Sequence, residues 1–133
     1  YRDEGTSYHY LPDSEYIELN KTYKSLFKDI LKDYNFEYTE GATWTIDAFY
    51  RETQEKIKRY QKKGVICVEM EGASIGAVCQ YKKLNYFTFY YAGDNLDSTQ
   101  WEARSISQLA NFNKKTKIPI LALELAYKIE NNK

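Results

Sequence analysis

Charged and apolar stretches alternate along the chain, and both helical and strand periods can be read from them. Residues 65–68, Val-Ile-Cys-Val, are a continuous apolar and mostly β-branched run behind Gly64, the pattern of a buried strand. Residues 72–83 are small and apolar, with lysines only near the end, which predicts a helix packed on a sheet. Residues 84–92 are apolar and aromatic and close on Gly93 and Asp94, which predicts a second strand. Strand, helix and strand in so short a span predict a βαβ unit with parallel strands. Both strands then point the same way. Glu69, Glu71 and Asp94 fall at their carboxyl ends, where open α/β sheets bind ligands.

The flanking sequence supplies more helices and one more strand. Residues 14–35 place Ile17, Leu19, Tyr23, Leu26, Phe27, Ile30, Leu31 and Tyr34 at helical spacing, with Asp13 or Ser14 as N-cap. The lysines of that stretch form its solvated side. Residues 36–46 alternate loosely and are rich in Thr, Tyr and Trp, a strand interrupted near Gly41. Residues 51–63 predict a charged surface helix. A polar loop follows Asp94, residues 101–113 are compatible with a helix, and residues 114–117 read as a basic turn. Residues 118–129 predict a closing apolar helix with Pro119 in its first turn. Residues 1–12 read as a loop: either a plain connector or the lip of a site supplied by Arg2, Thr6, Ser7 and His9. No repeat interrupts this order, and residues 1–133 are expected to form one α/β domain.

Composition narrows the classes. The 133 residues suit one domain with a real core and are too few for two. Formal net charge is zero and no basic block occurs, which argues against a nucleic-acid partner. No apolar run is long enough for a membrane-spanning helix, so no membrane association is expected. Cys67 and Cys79 form no disulfide framework; on a predicted strand and helix they read as small core thiols, which fits a cytoplasmic setting. The fourteen tyrosines suit a core, flat ligands or subunit contacts, and composition does not choose among these. The chain begins at Tyr1, without methionine, and reads as a piece of something longer.

Specific motifs then add to the pattern. Val68-Glu69-Met70-Glu71-Gly72-Ala73 resembles the V-E-M-E-[AG]-A signature of the purine nucleoside phosphorylase and uridine phosphorylase family, which the hydrolytic methylthioadenosine nucleosidases share. Asp47-Ala48-Phe49-Tyr50 resembles the D-x-F-Y segment that precedes this signature, and Gly93-Asp94 stands where purine-directed members carry Ser-Asp. The stretch from Arg2 to His9, R-D-E-G-T-S-Y-H, resembles the mid-chain loop of phosphorylases in this family. The resemblance implies a three-layer α/β/α fold with a mixed sheet, of which this chain is the C-terminal portion. It also implies cleavage of the N-glycosidic bond of a nucleoside, purine in preference to uridine, with inorganic phosphate as co-substrate and no cofactor or metal. Nucleoside and phosphate are then the partners, and a homo-oligomer is expected. By the same resemblance, Glu71 takes the ribose 2′ and 3′ hydroxyls, Met70 packs on the sugar, and Phe49 stacks on the base. Val68 and Glu69 line the base end, Asp94 is the general acid, and Arg104 assists it.

Each of these residues also has an ordinary structural reading. Glu69 suits a helix cap, Phe49 a core, Asp94 a turn after Gly93, and His9 a structural place as readily as a catalytic one. Glu71 is the acid most in need of a functional partner. Two features depart from the family. No glycine-rich phosphate loop occurs in the chain, so phosphorolysis is not expected of it alone. Thr53 and Glu55 stand where uridine phosphorylases read uracil with glutamine and arginine. Hydrolysis by a nucleosidase and a non-catalytic assembly or nucleoside-binding role are the alternatives; a metal site from Glu69, Glu71 and Asp94 is a more distant one.

Overall fold

A computed structural model describes residues 1–93 and 112–131. The chain is α/β. Contacts divide it into two compact units, one of residues 1–22 and 39–89, the other of residues 23–38 and 90–133.

The first unit is built on three strands, β1 (Arg2–Asp3), β2 (Ala42–Ile46) and β3 (Val65–Glu69), in the order β1-β2-β3, all parallel. β2 lies in the middle, with Arg2 opposite Thr45 and Thr45 opposite Glu69. Helix α2 (Gln54–Gln61) returns the chain from β2 to β3, and α3 (Gly72–Tyr81) follows β3. Trp44 stacks on Tyr60 of α2 with ring centroids 4.5 Å apart, while the Thr45 hydroxyl accepts a hydrogen bond from the Ala73 amide of α3. Adjacent strand residues point to opposite faces, so α2 and α3 cover opposite faces of the sheet. Trp44, Ile46, Ile57, Tyr60, Ala73 and Ala77 are the buried apolar residues of this unit.

The predicted charged helix is present as α2, capped by Thr53, whose hydroxyl accepts from the Lys56 amide. The small, apolar helix is present as α3. Its end is a Schellman turn: the Leu84 amide bonds to the Cys79 carbonyl and the Lys83 amide to that of Gln80. Lys83 holds the left-handed position, φ 56°, that glycine usually fills.

Five expectations need correction. β3 is not a buried strand, for none of its residues is fully covered. Register slips between Ala42 and Thr43, so Thr43 faces Cys67 and Ile66 is the extra residue of a bulge, 53% exposed. A Cβ on Gly41 would meet the Ile66 side chain at 2.6 Å, so glycine there makes room for the bulge. Residues 84–92 form no strand beside β3; instead the Asn20 side chain donates to the Thr88 carbonyl at 2.6 Å and accepts from the Thr88 amide at 2.7 Å. That carboxamide takes both ladder groups of Thr88, as a neighbouring strand would. The parallel crossover therefore runs from β2 through α2 to β3, one step earlier than expected.

The third correction concerns residues 14–35. Helix α1 covers only Lys24–Asp33, and residues 16–20 run without regular structure to Asn20 at φ 58°. Ile17 and Leu19 instead cover Gly76 of α3: a Cβ there would lie 2.3 Å from Leu19 and 3.4 Å from Ile17. Fourth, the closing helix α4 is longer than predicted, Phe112–Asn131, so Pro119 sits inside it and the basic residues 114–117 are helical. The strand expected over residues 36–46 begins only after Gly41.

In the second unit α1 packs on α4, and Phe27, Ile30 and Leu31 of α1 and Leu121 and Leu125 of α4 are buried. Lys128 and Asp33 add an ion pair at 3.1 Å. α1 also ends in a Schellman turn, with Asn35 at φ 50° and the Phe36 amide bonded to the Leu31 carbonyl.

Candidate functional site

Because the three strands are parallel, the segments leaving them share one edge of the sheet. Glu4 and the 3-10 turn Thr6–His9 follow β1, Asp47 and the 3-10 turn Phe49–Arg51 follow β2, and Met70 and Glu71 lead from β3 into α3. This carboxyl edge is where sheets of this class take ligands.

The junction of β3 and α3 divides its two glutamates between two tasks. One Glu69 oxygen accepts from the Glu71 amide at 2.8 Å and from the Gly72 amide at 2.5 Å. The other receives the Thr45 hydroxyl, which in turn accepts from the Ala73 amide at 3.0 Å. Together, Glu69 and Thr45 satisfy three amides at the start of α3, groups that no helical carbonyl reaches. Thr45 is 1% exposed, so its bond to the Ala73 amide is shielded from water, while the Glu69 end of the relay is only partly covered. The cap leaves Glu71 unused. It is the N-cap residue by position but caps nothing with its side chain, and it is exposed. Met70 beside it is 43% exposed, whereas Val68 is half-buried at the end of the strand.

Phe49 is 75% exposed and Tyr50 is similarly open, the two rings meeting edge to face at 5.8 Å. Phe49 is therefore not a core residue. Their turn is tied to β1 through Arg51, whose guanidinium donates to the Asp3 carboxylate at 3.0 Å and to the Asp3 carbonyl at 3.3 Å. It also pairs with Asp47. Asp3 further accepts from Lys56 at 2.6 Å and from the Trp44 indole at 3.1 Å.

The loop after β1 is stapled rather than open. Arg2 is buried and donates from Nε to the Ser7 hydroxyl at 2.8 Å and from Nη1 to the Ser14 hydroxyl and the Pro12 carbonyl. The buried Glu4 carboxylate accepts from the Ser7 amide at 3.0 Å, from the Ser7 hydroxyl, and from Ser74 of α3 at 2.7 Å. Burial pushes the Glu4 carboxyl up, but the hydrogen bonds from Ser7 and Ser74 outweigh it and hold the group below its ordinary value. Arg2 and Ser7 thus serve the connector. Thr6 and His9 are exposed on it.

Asp94 and Arg104 lie outside the described residues. Among the described residues no group of three or more histidine, cysteine or acidic side chains is gathered as a metal would require. Burial raises the Cys67 thiol above its ordinary value, as suits a half-buried strand thiol. Thr45, Asp3 and Arg51 were not legible as site residues. The one signal was a hydroxyl between the apolar Trp44 and Ile46, on a strand whose neighbour ends in a glutamate.

A parallel sheet with helices on both faces, and acids and open apolar side chains at its carboxyl edge, is the architecture of an α/β protein. Residues 1–120 match the family described as the phosphorylase superfamily, and the chain belongs to that superfamily. It is similar to a purine nucleoside phosphorylase, DeoD-type, from Exiguobacterium sibiricum, at 26% identity over 120 residues, which are 90% of this chain and 47% of the relative. The chain thus spans about half the length of the curated relative it matches. No solved structure matches it.

Proposed function

We propose that this chain carries the nucleoside side of a phosphorylase site that cleaves the N-glycosidic bond of purine nucleosides. The observation that carries the reading is the division of labour at the β3–α3 junction. Glu69 takes the helix amides, and Glu71 keeps a carboxylate exposed at the ligand-binding edge. Two acceptor oxygens suit the vicinal 2′ and 3′ hydroxyls of ribose. Met70 packs on the sugar and Phe49 stacks on the base, with Val68 and Glu69 closing the base end below them.

In the reaction, a phosphate oxygen attacks C1′ while the bond to the base nitrogen breaks. The electron pair leaves with the base, which takes a proton from Asp94 at its imidazole nitrogen, with Arg104 assisting. Ribose 1-phosphate and free purine result. Holding the ribose in place as charge develops on it is the contribution of Glu71. Phosphate itself is held by residues other than those named here, and the active protein is a homo-oligomer in the cytoplasm.

Calorimetric titration with inosine, adenosine and uridine, with and without phosphate, tests this. The purine nucleosides should bind, uridine more weakly, and phosphate should not be required. Glu71→Ala should weaken inosine binding by about tenfold or more, the loss of one charge-assisted pair of hydrogen bonds. Absence of nucleoside binding, or a Glu71→Ala variant that binds as well as the parent, would overturn the proposal.

A further inference from the structure

Phe49 and Tyr50 are open to solvent and touch each other, so their direction depends on the backbone turn that carries them. That turn is three residues long, and its last residue is Arg51. Within it the Arg51 amide bonds to the Ala48 carbonyl at 2.9 Å and the Glu52 amide to that of Phe49 at 3.0 Å. A 3-10 turn this short has little stability of its own. What fixes it to the sheet is the Arg51 guanidinium, which grips the carbonyl and the carboxylate of Asp3 together.

Asp3 is suited to be the anchor. Its side chain is 14% exposed, it ends β1, and Ile46 of β2 is its register partner. Arg51 takes one carboxylate oxygen while Lys56 and the Trp44 indole share the other, so both oxygens are held in place. Trp44 belongs to the core and Lys56 to α2, and the anchor is therefore as rigid as the sheet beneath it. A planar guanidinium with two acceptors on one residue fixes orientation as well as distance.

We infer that Asp3 and Arg51 are positioning residues that aim the Phe49 ring at the nucleoside base. This rests on the nucleoside-binding reading above. Neither residue needs to touch the ligand. Their effect on binding passes through Phe49, which makes the inference separable from a general loss of stability.

A double-mutant cycle on the 133-residue chain tests it, with inosine as the probe and calorimetry as the readout. Asp3→Asn and Arg51→Lys should each weaken inosine binding by about fivefold to tenfold when Phe49 is present. In a Phe49→Ala background the same changes should alter binding by less than about twofold, because the ring they aim is gone. Hydrogen exchange at the Arg51 and Glu52 amides should quicken in both single variants, with exchange in α3 unchanged. If Asp3→Asn does not fold, Arg51→Lys, on the more exposed partner, gives the same cycle. Equal losses with and without Phe49, or unaltered exchange in the turn, would overturn the inference while leaving nucleoside binding intact. A parent chain that binds no inosine would overturn the functional reading, and this role with it.

Discussion

Glu4 shows how much one side chain is asked to hold. Its carboxylate joins the loop after β1 to itself through Ser7 and to α3 through Ser74, in a place almost closed to water. Because its folded value is depressed, the ionised form stabilises the fold above the ordinary glutamate range, about pH 4.3. That stability is lost as pH falls through the lower folded value. Glu4→Gln should therefore be less stable than the parent at pH 7, by about 1–3 kcal/mol. The gap should narrow as pH drops towards 3, and urea midpoints across that range measure it. A gap independent of pH would mean that the charge on Glu4 does not matter. Residues of this kind were poorly legible in the sequence. R-D-E-G-T-S reads as an exposed polar loop, and only the fold turns Arg2, Glu4 and Ser7 inward. The two glutamates of Glu69-Met70-Glu71 were legible as a pair, but not their division into a cap and an open carboxylate. That division depends on Thr45, twenty-four residues earlier and on another strand.

At the scale of elements, what was legible followed from local pattern, and what was not depended on partners. α2 and α3 follow from their composition and ends, because a helix satisfies its backbone within itself. A strand does not. Residues 84–92 have strand-like composition, yet the side chain of Asn20 meets the backbone of Thr88, and nothing local announces it. Residues 14–35 misled for a related reason. Ile17 and Leu19 are two apart, a spacing that also suits an extended chain, and the left-handed Asn20 separates them from α1. Turn chemistry offers an element-scale prediction with opposite signs. Gly64, at φ 79° before β3, has open space around its Cα, so only backbone conformation opposes a side chain. Gly64→Ala should cost about 1–2 kcal/mol. Lys83 occupies the same kind of conformation with a side chain present, and Lys83→Gly should gain about 0.5–1 kcal/mol. Thermal unfolding of the pair checks both. Like signs would show that left-handed strain is not the controlling factor at these turns.

For the molecule as a whole, the parallel sheet determines what the chain can present. Its three carboxyl ends carry the stapled loop with Glu4, the turn with Phe49, and the junction with Met70 and Glu71, so one edge collects the segments whose sequences resemble nucleoside phosphorylase motifs. A depression elsewhere in the same unit, about 230 Å³ and lined by Asn20, Lys21, Gly76, Gln80 and Tyr86 among others, provides a natural contrast. Chemical-shift mapping of backbone amides during titration with inosine compares the two places directly. The account predicts that the perturbed amides cluster at Phe49, Tyr50, Met70, Glu71 and Gly72, with Asn20, Lys21 and Gln80 unmoved. Perturbation centred on Asn20 and Gln80, or none at Met70 and Glu71, would contradict it.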